Sequence, residues 1–216
     1  MLQSHHDAKN KIPLPKGYEL LEKYHSEKTG LDVEIYKHED ELILSFPGSE
    51  QTKDFLQTDV QDIKFKNKNS QLDEAQDIFK KIKSNPQFNN HRIIVTGYSL
   101  GGNIAGGLSV LNNIEGVTFN PYGNLDKILQ QKADDLGEEI EINPEKLINY
   151  RHEKDKLSKN TKTNNPGFQY EIPKLSENLE KNDILNHFIK NIGDSITRYP
   201  EGNFLNKTIY YPRLSK

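Results

Sequence analysis

Ser99 stands between Gly97 and Gly101 in the stretch VTGYSLGGNIAG, residues 95–106. A serine hydroxyl at its ordinary pKa is a weak nucleophile, and it reacts only when a turn presents it and a base activates it. Glycines two residues before and two residues after a serine fit a sharp strand-to-helix turn, the G-x-S-x-G elbow. Their role is steric: the serine takes strained dihedrals, and neighbours carrying a Cβ would strike the strand and helix that cross beside it. An apolar run, Ile93–Val95, precedes the motif, and the small residues Gly102, Ala105, Gly106 and Gly107 follow it. Each glycine inside a helix costs about 1 kcal/mol relative to alanine, so this many point to a helix that lies close on a sheet. The chemistry that such a serine serves is acyl transfer through an acyl-serine intermediate.

That chemistry needs further groups. The oxyanion needs donors, and one is the N–H of Leu100, the residue after the serine, at a helix N-terminus whose dipole helps. The second must come from a loop at the end of a neighbouring strand. The turn Gly48–Ser49, which closes LILSFPGSE (42–50), stands at the right place in the chain. Only two histidines, His152 and His187, follow Ser99. The order nucleophile, acid, histidine favours His187, in NDILNHFI (182–189), as the base; His152, in NYRHEKD (149–155), is placed at most to help position the acid. Asp155 is the leading candidate for the acid, because it follows an apolar segment by a few residues and precedes His187. Glu153, in the same loop, is the alternative, and Asp183 is read as a cap of the helix that carries His187.

The chain has 216 residues and a formal net charge of -3, with 33% hydrophobic and 28% charged residues, and no cysteine. One domain with a small core is expected, 1–216, with 1–17 as an N-terminal tail. The charge balance gives no reason to expect nucleic acid as a partner, and the missing cysteines exclude disulfides, thiolate metal sites and cysteine nucleophiles. No metal-binding H-E-x-x-H, phosphate-binding or dinucleotide-binding motif is present, so no metal or organic cofactor is expected. His5 and His6, adjacent in a polar terminal stretch, are read as solvated. The first 20 residues contain no apolar h-region, and no run of about 18 apolar residues occurs. Neither a secretory signal nor a transmembrane segment is expected, which leaves the cytoplasm and a specialised export route both open.

The elements that would position these residues alternate. Gly30–Glu50 reads as two strands around the polar turn KHEDE, and Leu72–Asn85 as a helix stopped by Pro86. Then come a buried strand at Ile93–Val95, the small-residue helix, a strand in GVTFNPYG (116–123), and a helix Leu125–Gly137 with Gly137 as its C-cap. EKLINYRHEKDKLS (145–158) reads as strand then loop, GFQYEIPKL (167–175) as a strand and NDILNHFIKNI (182–192) as a last helix. Val60–Gln71 alternates Ile63 and Phe65 with lysines and is read as a solvated loop; lying on an anionic lipid surface, with its lysines snorkelling, is the alternative. The Tyr-rich tail TIYYPRL (208–214) stays unassigned. Alternating strands and helices make an α/β domain.

LILSFPGSEQTKDFLQTDV, IIVTGYSLGGNIA, VTFNPYG, INYRHEKDKLS and NDILNHFI together resemble the class 3 (fungal-type) lipases and their bacterial relatives, from about Gly30 to Ile192. The resemblance implies the α/β-hydrolase fold, with a mostly parallel central sheet and helices on both faces. It implies hydrolysis of lipid or phospholipid acyl esters, with Ser49 as the oxyanion residue, Ser99 as the nucleophile and His187 as the base. Asp59 matches a family aspartate and is read as holding the oxyanion loop rather than reacting. Pro47 stands where arginine is common in the family, and Phe55 where tryptophan is common. These departures bear on the substrate and the loop geometry more than on the reaction. The implied partner is an ester or lipid substrate, with transient contact to a membrane surface. The other readings are a soluble non-lipid carboxylesterase or thioesterase, and a binding module without turnover; an intact Ser99, Asp155 and His187 argue against the last.

Overall fold

The strands β2 (Asp32–His38) and β3 (Glu41–Phe46) form a hairpin across the polar turn at Glu39 and Asp40, with Glu39 in the left-handed region at φ 53°. From there the chain builds a parallel series: β4 (Arg92–Tyr98), β5 (Glu115–Phe119), β6 (Leu147–His152) and β7 (Gly167–Ile172). β3 to β7 pair in parallel, while β1 (Glu19–His25) and β8 (Lys207–Tyr210) are antiparallel edge strands. The computed structural model describes residues 14–48, 58–122, 124–152, 155, 165–172 and 207–210, with the side chains of 58–69, 172 and 207–210 outside the description.

The eight described strands lie in the sheet in chain order. β–α–β crossovers are right-handed almost without exception, so connections that all step in one direction place their helices on one face. The three described α-helices do so: α1 (Thr58–Ser84), α2 (Leu100–Asn112) and α3 (Leu125–Leu136) form one layer. A methyl on Gly107 would come 2.8 Å from Leu72 of α1, and one on Gly106 would come 2.6 Å from Leu125 of α3. The glycines of α2 thus let it sink between its neighbours, as their number in the sequence implies. The core lies between this layer and the sheet: Leu42, Leu44, Phe46, Val95 and Leu147 from the strands, and Leu72, Phe79, Leu108 and Leu129 from the helices, all at most 2% exposed. The other face carries Ile43, Ile94, Val117, Ile148 and Phe168, which are half-buried. Helices on both faces are the expectation from sequence; among the described residues the helices share one.

Three local readings change. Val60–Gln71 is not a loop but part of α1, which begins at Thr58 rather than Leu72. Its Lys- and Asn-rich sequence gives no clean 3.6-residue apolar period, so the helix shows only where its buried face begins. β1 was not expected, because ELLEKYH has no apolar alternation; it is an edge strand, largely exposed. Part of the unassigned tail supplies β8. Gly137 caps α3 in the left-handed conformation at φ 66°, as expected.

Candidate active site

The serine elbow is strained in the way its glycines imply. Ser99 follows β4 and precedes α2 with φ 54° and ψ -117°, a conformation that side chains with a Cβ rarely take. It is 3% exposed and makes no side-chain cap to its own helix. A Cβ on Gly97 would stand 2.2 Å from the carbonyl oxygen of Gly101; one on Gly101 would stand 2.2 Å from that of Phe46 and 2.4 Å from that of Pro47. The first turn of α2 therefore rests directly on the loop that leaves β3. Gly48 in that loop lies against Tyr98, where an added methyl would be 2.6 Å from the ring.

These contacts give a first expected result. Gly101→Ala forces two backbone segments apart and should cost about 1–3 kcal/mol, roughly 2–12 °C in melting temperature. Thermal denaturation of the purified variant checks it; melting with the wild type would mean that the loop and the helix are not locked together.

The end of β5 joins the elbow to the end of β6. The N–H of Ser99 donates to the carbonyl of Phe119 (3.1 Å), and the carbonyl of Ser99 accepts from the N–H groups of Gly102 and Tyr122 (3.1 Å each). Asn120 donates its N–H to the carbonyl of Tyr150 (2.7 Å), and its side-chain Oδ1 accepts from the N–H of His152 (2.8 Å). The carbonyl of His152 in turn accepts from the N–H of Asp155 (3.0 Å), three residues beyond the strand. Asp155 and His152 are both fully buried. Arg151, which pairs in register with Glu171 of β7, lies beside them. Burial pushes its guanidinium below its ordinary value, while the carboxylates of Glu171 and Asp155 pull the other way. One residue below this edge, Tyr98, Phe119, Tyr150 and Tyr170 form a cross-strand row, with Phe119 and Tyr150 stacked at 5.7 Å and Tyr150 and Tyr170 at 5.5 Å.

Polar side chains brace the same edge from the helix side. Asn103 of α2 donates to Asn124 (2.6 Å), and Asn165 accepts from the N–H of Leu125, the first residue of α3 (3.1 Å). Thr118 donates to Asn149, which donates to the carbonyl of Pro166 (2.9 Å).

The structure thus brings Ser99 and Asp155 to the same carboxyl edge of the parallel strands, two strands apart. Leu100 opens α2, where the first N–H groups have no acceptor within the helix. His152 is the last residue of β6, and its carbonyl accepts the N–H of Asp155. Ser49, Glu153, Asp183, His187, Phe55, the tail residues 1–13 and the side chain of Asp59 lie outside the described residues. Gly48, the neighbour of Ser49, packs beside the elbow. The connection that contains His187 leaves β7 and re-enters at β8, and because Tyr170 pairs antiparallel with Lys207, both its ends lie at the edge of Ser99. Asn120 escaped the sequence reading; its one signal is an asparagine before a proline at a strand end. Among the described residues no group of acidic, His or Cys side chains is placed to hold a metal ion, and no helix is long and apolar enough to cross a membrane.

Residues 13–183 match the phospholipase-like family described as the Tle-like phospholipase domain. The chain belongs to that family. No curated protein matches it significantly. Among solved structures, this Tle-like chain is similar to the triacylglyceride lipase of Rhizomucor miehei, with a TM-score of 0.52 and 14% identity over 73% of this chain and 67% of the lipase. It is similar to a triacylglycerol lipase whose catalytic centre is a serine protease triad, with a TM-score of 0.51 and 16% identity over 73% and 67% of the two chains. The Rhizomucor miehei lipase–propeptide complex gives 0.50 and 14% over 73% and 57%. At such identities the likeness is one of fold: this is an α/β-hydrolase fold of the lipase type. The Tle-like chain spans between 57% and 67% of the length of these lipases.

Proposed function

We propose that this Tle-like domain hydrolyses acyl esters of lipids, phospholipids among them, through an acyl-serine intermediate. The observation that carries the reading is the elbow: Ser99 at φ 54° between β4 and α2, with backbone packed where Cβ atoms of Gly97 and Gly101 would be. His187 takes the proton of Ser99 Oγ as that oxygen attacks the ester carbonyl. Asp155 holds the imidazole in the right tautomer and stabilises the imidazolium. The N–H of Leu100 and the Ser49 loop receive the negative charge on the carbonyl oxygen. His187 returns the proton to the leaving alcohol, and water then attacks the acyl-serine by the same steps. Support for Ser49 is the packing of Gly48 on Tyr98; support for His187 is that its connection starts and ends at the site edge. The family match ends at residue 183, so this histidine rests on chain order and on the resemblance to fungal-type lipases.

The test combines a fluorophosphonate label with a series of p-nitrophenyl esters of rising chain length, beside phospholipid vesicles. The expected outcome is a label on Ser99, faster turnover of longer esters and release of fatty acid from vesicles. Turnover of short soluble esters alone would overturn the lipid assignment, and an unlabelled Ser99 would overturn the hydrolase reading.

A further inference from the structure

Asn120 is fully buried, in the left-handed region at φ 41° and directly before Pro121. Glycine is the residue that takes such a conformation freely; asparagine tolerates it at some cost. A residue before proline is restricted further. The side chain is therefore held there against a backbone preference, and its contacts show what it does.

In a regular parallel ladder, a residue whose N–H goes to the carbonyl of Tyr150 would offer its own main-chain carbonyl to the N–H of His152. Asn120 makes the first bond with its backbone, at 2.7 Å, but the second with its side-chain Oδ1, at 2.8 Å. The carboxamide takes the place of the carbonyl and extends the β5–β6 ladder beyond its last paired residues, Phe119 and Tyr150. The residue before Asn120, Phe119, accepts the N–H of Ser99, and the residue it holds, His152, accepts the N–H of Asp155.

We propose that Asn120 is a positioning residue: its carboxamide oxygen fixes the end of β6, and through the His152–Asp155 turn it sets where the acid stands relative to Ser99. This rests on the reading of Ser99 as nucleophile and Asp155 as acid. It makes Asn120 a spacer between two catalytic strands, with no contact to substrate required.

The decisive variant is Asn120→Gly, which accepts the positive φ and keeps the main-chain bond to Tyr150 but removes the oxygen. Misplacement of a catalytic group by about 1 Å costs on the order of 10² in rate, so kcat on a short p-nitrophenyl ester should fall about 10²-fold with KM nearly unchanged. The acid limb of the kcat/KM profile should move to lower pH, because an imidazolium without a well-placed carboxylate is less stable; a purely structural role would not move it. Asn120→Asp, which keeps an oxygen at the same place, should hold at least about a tenth of wild-type kcat. If Asn120→Gly stays within about twofold of wild type, or Asn120→Asp falls as far as the glycine variant, the proposal is overturned. Asp155→Asn assayed beside them separates the two failures. Its inactivity with a healthy Asn120→Gly sinks the positioning role alone, whereas an active Asp155→Asn sinks the triad reading beneath it. In the Asp155→Asn background, Asn120→Gly should add little further loss; full additivity would show that it acts elsewhere.

Discussion

Ser99→Ala abolishes ester turnover while the protein still folds: this is the largest effect expected of any single substitution here. The loss should be on the order of 10⁶ in kcat, the scale on which removal of a nucleophile silences a triad. Stability should change by less than about 1 kcal/mol, since alanine keeps the Cβ and gives up only a hydroxyl that does not cap α2. The elbow adds a contrast that a mere surface serine would not show. At φ 54° and ψ -117° the Cβ itself is the source of strain, so Ser99→Gly should melt above Ser99→Ala, by up to about 1–3 kcal/mol less the entropy that glycine adds to the unfolded chain. Paired melts and a phosphonate label check both halves. More than a trace of activity in the alanine variant, or a label on another serine, would end the assignment of Ser99.

The second large effect belongs to the acid. Asp155→Asn should leave about 10⁻⁴ of the wild-type rate at neutral pH, because an asparagine holds the imidazole in the wrong tautomer and cannot stabilise its charged form. Glu153→Gln should be close to wild type. Asp155 is fully buried and held by a main-chain turn at the end of β6, and burying a carboxyl group is costly unless a partner compensates it. The measurement is kcat/KM over a pH series at matched folding. A crippled Glu153→Gln beside an active Asp155→Asn would move the acid to Glu153; activity in both would move the search to Asp183.

The elbow was legible in sequence because its requirement is steric and local. Only glycine fits at positions 97 and 101, and a helix with Gly102, Gly106 and Gly107 has no other reason to exist. The position of Asp155 just beyond a strand end was legible from chain order. Asn120 was not legible, because its role depends on a positive φ and on which carbonyl a neighbouring strand would otherwise meet, and neither has a sequence period. The first half of α1 was hidden for the opposite reason: a Lys- and Asn-rich segment shows no apolar stripe although it continues a helix that does. β1 was hidden because an edge strand need not alternate when little of it is buried. His187 rests on chain order and on the resemblance to fungal-type lipases, and neither says where an imidazole points.

Strands laid down in chain order have a temporal consequence. None of the described strands has to be inserted between two that are already paired; each new one joins the free edge left by its predecessor. Such a sheet can grow as the polypeptide leaves the ribosome, amino end first, through contacts between near neighbours. The strand before Ser99 is in place once β4 and α2 have docked on β3, whereas β6, which leads to Asp155, arrives two steps later and His187 later still. On the proposed assignment, a partly synthesised chain holds a serine without its relay. On that assignment, ester hydrolysis waits until β6 and the segment that carries His187 have both been made.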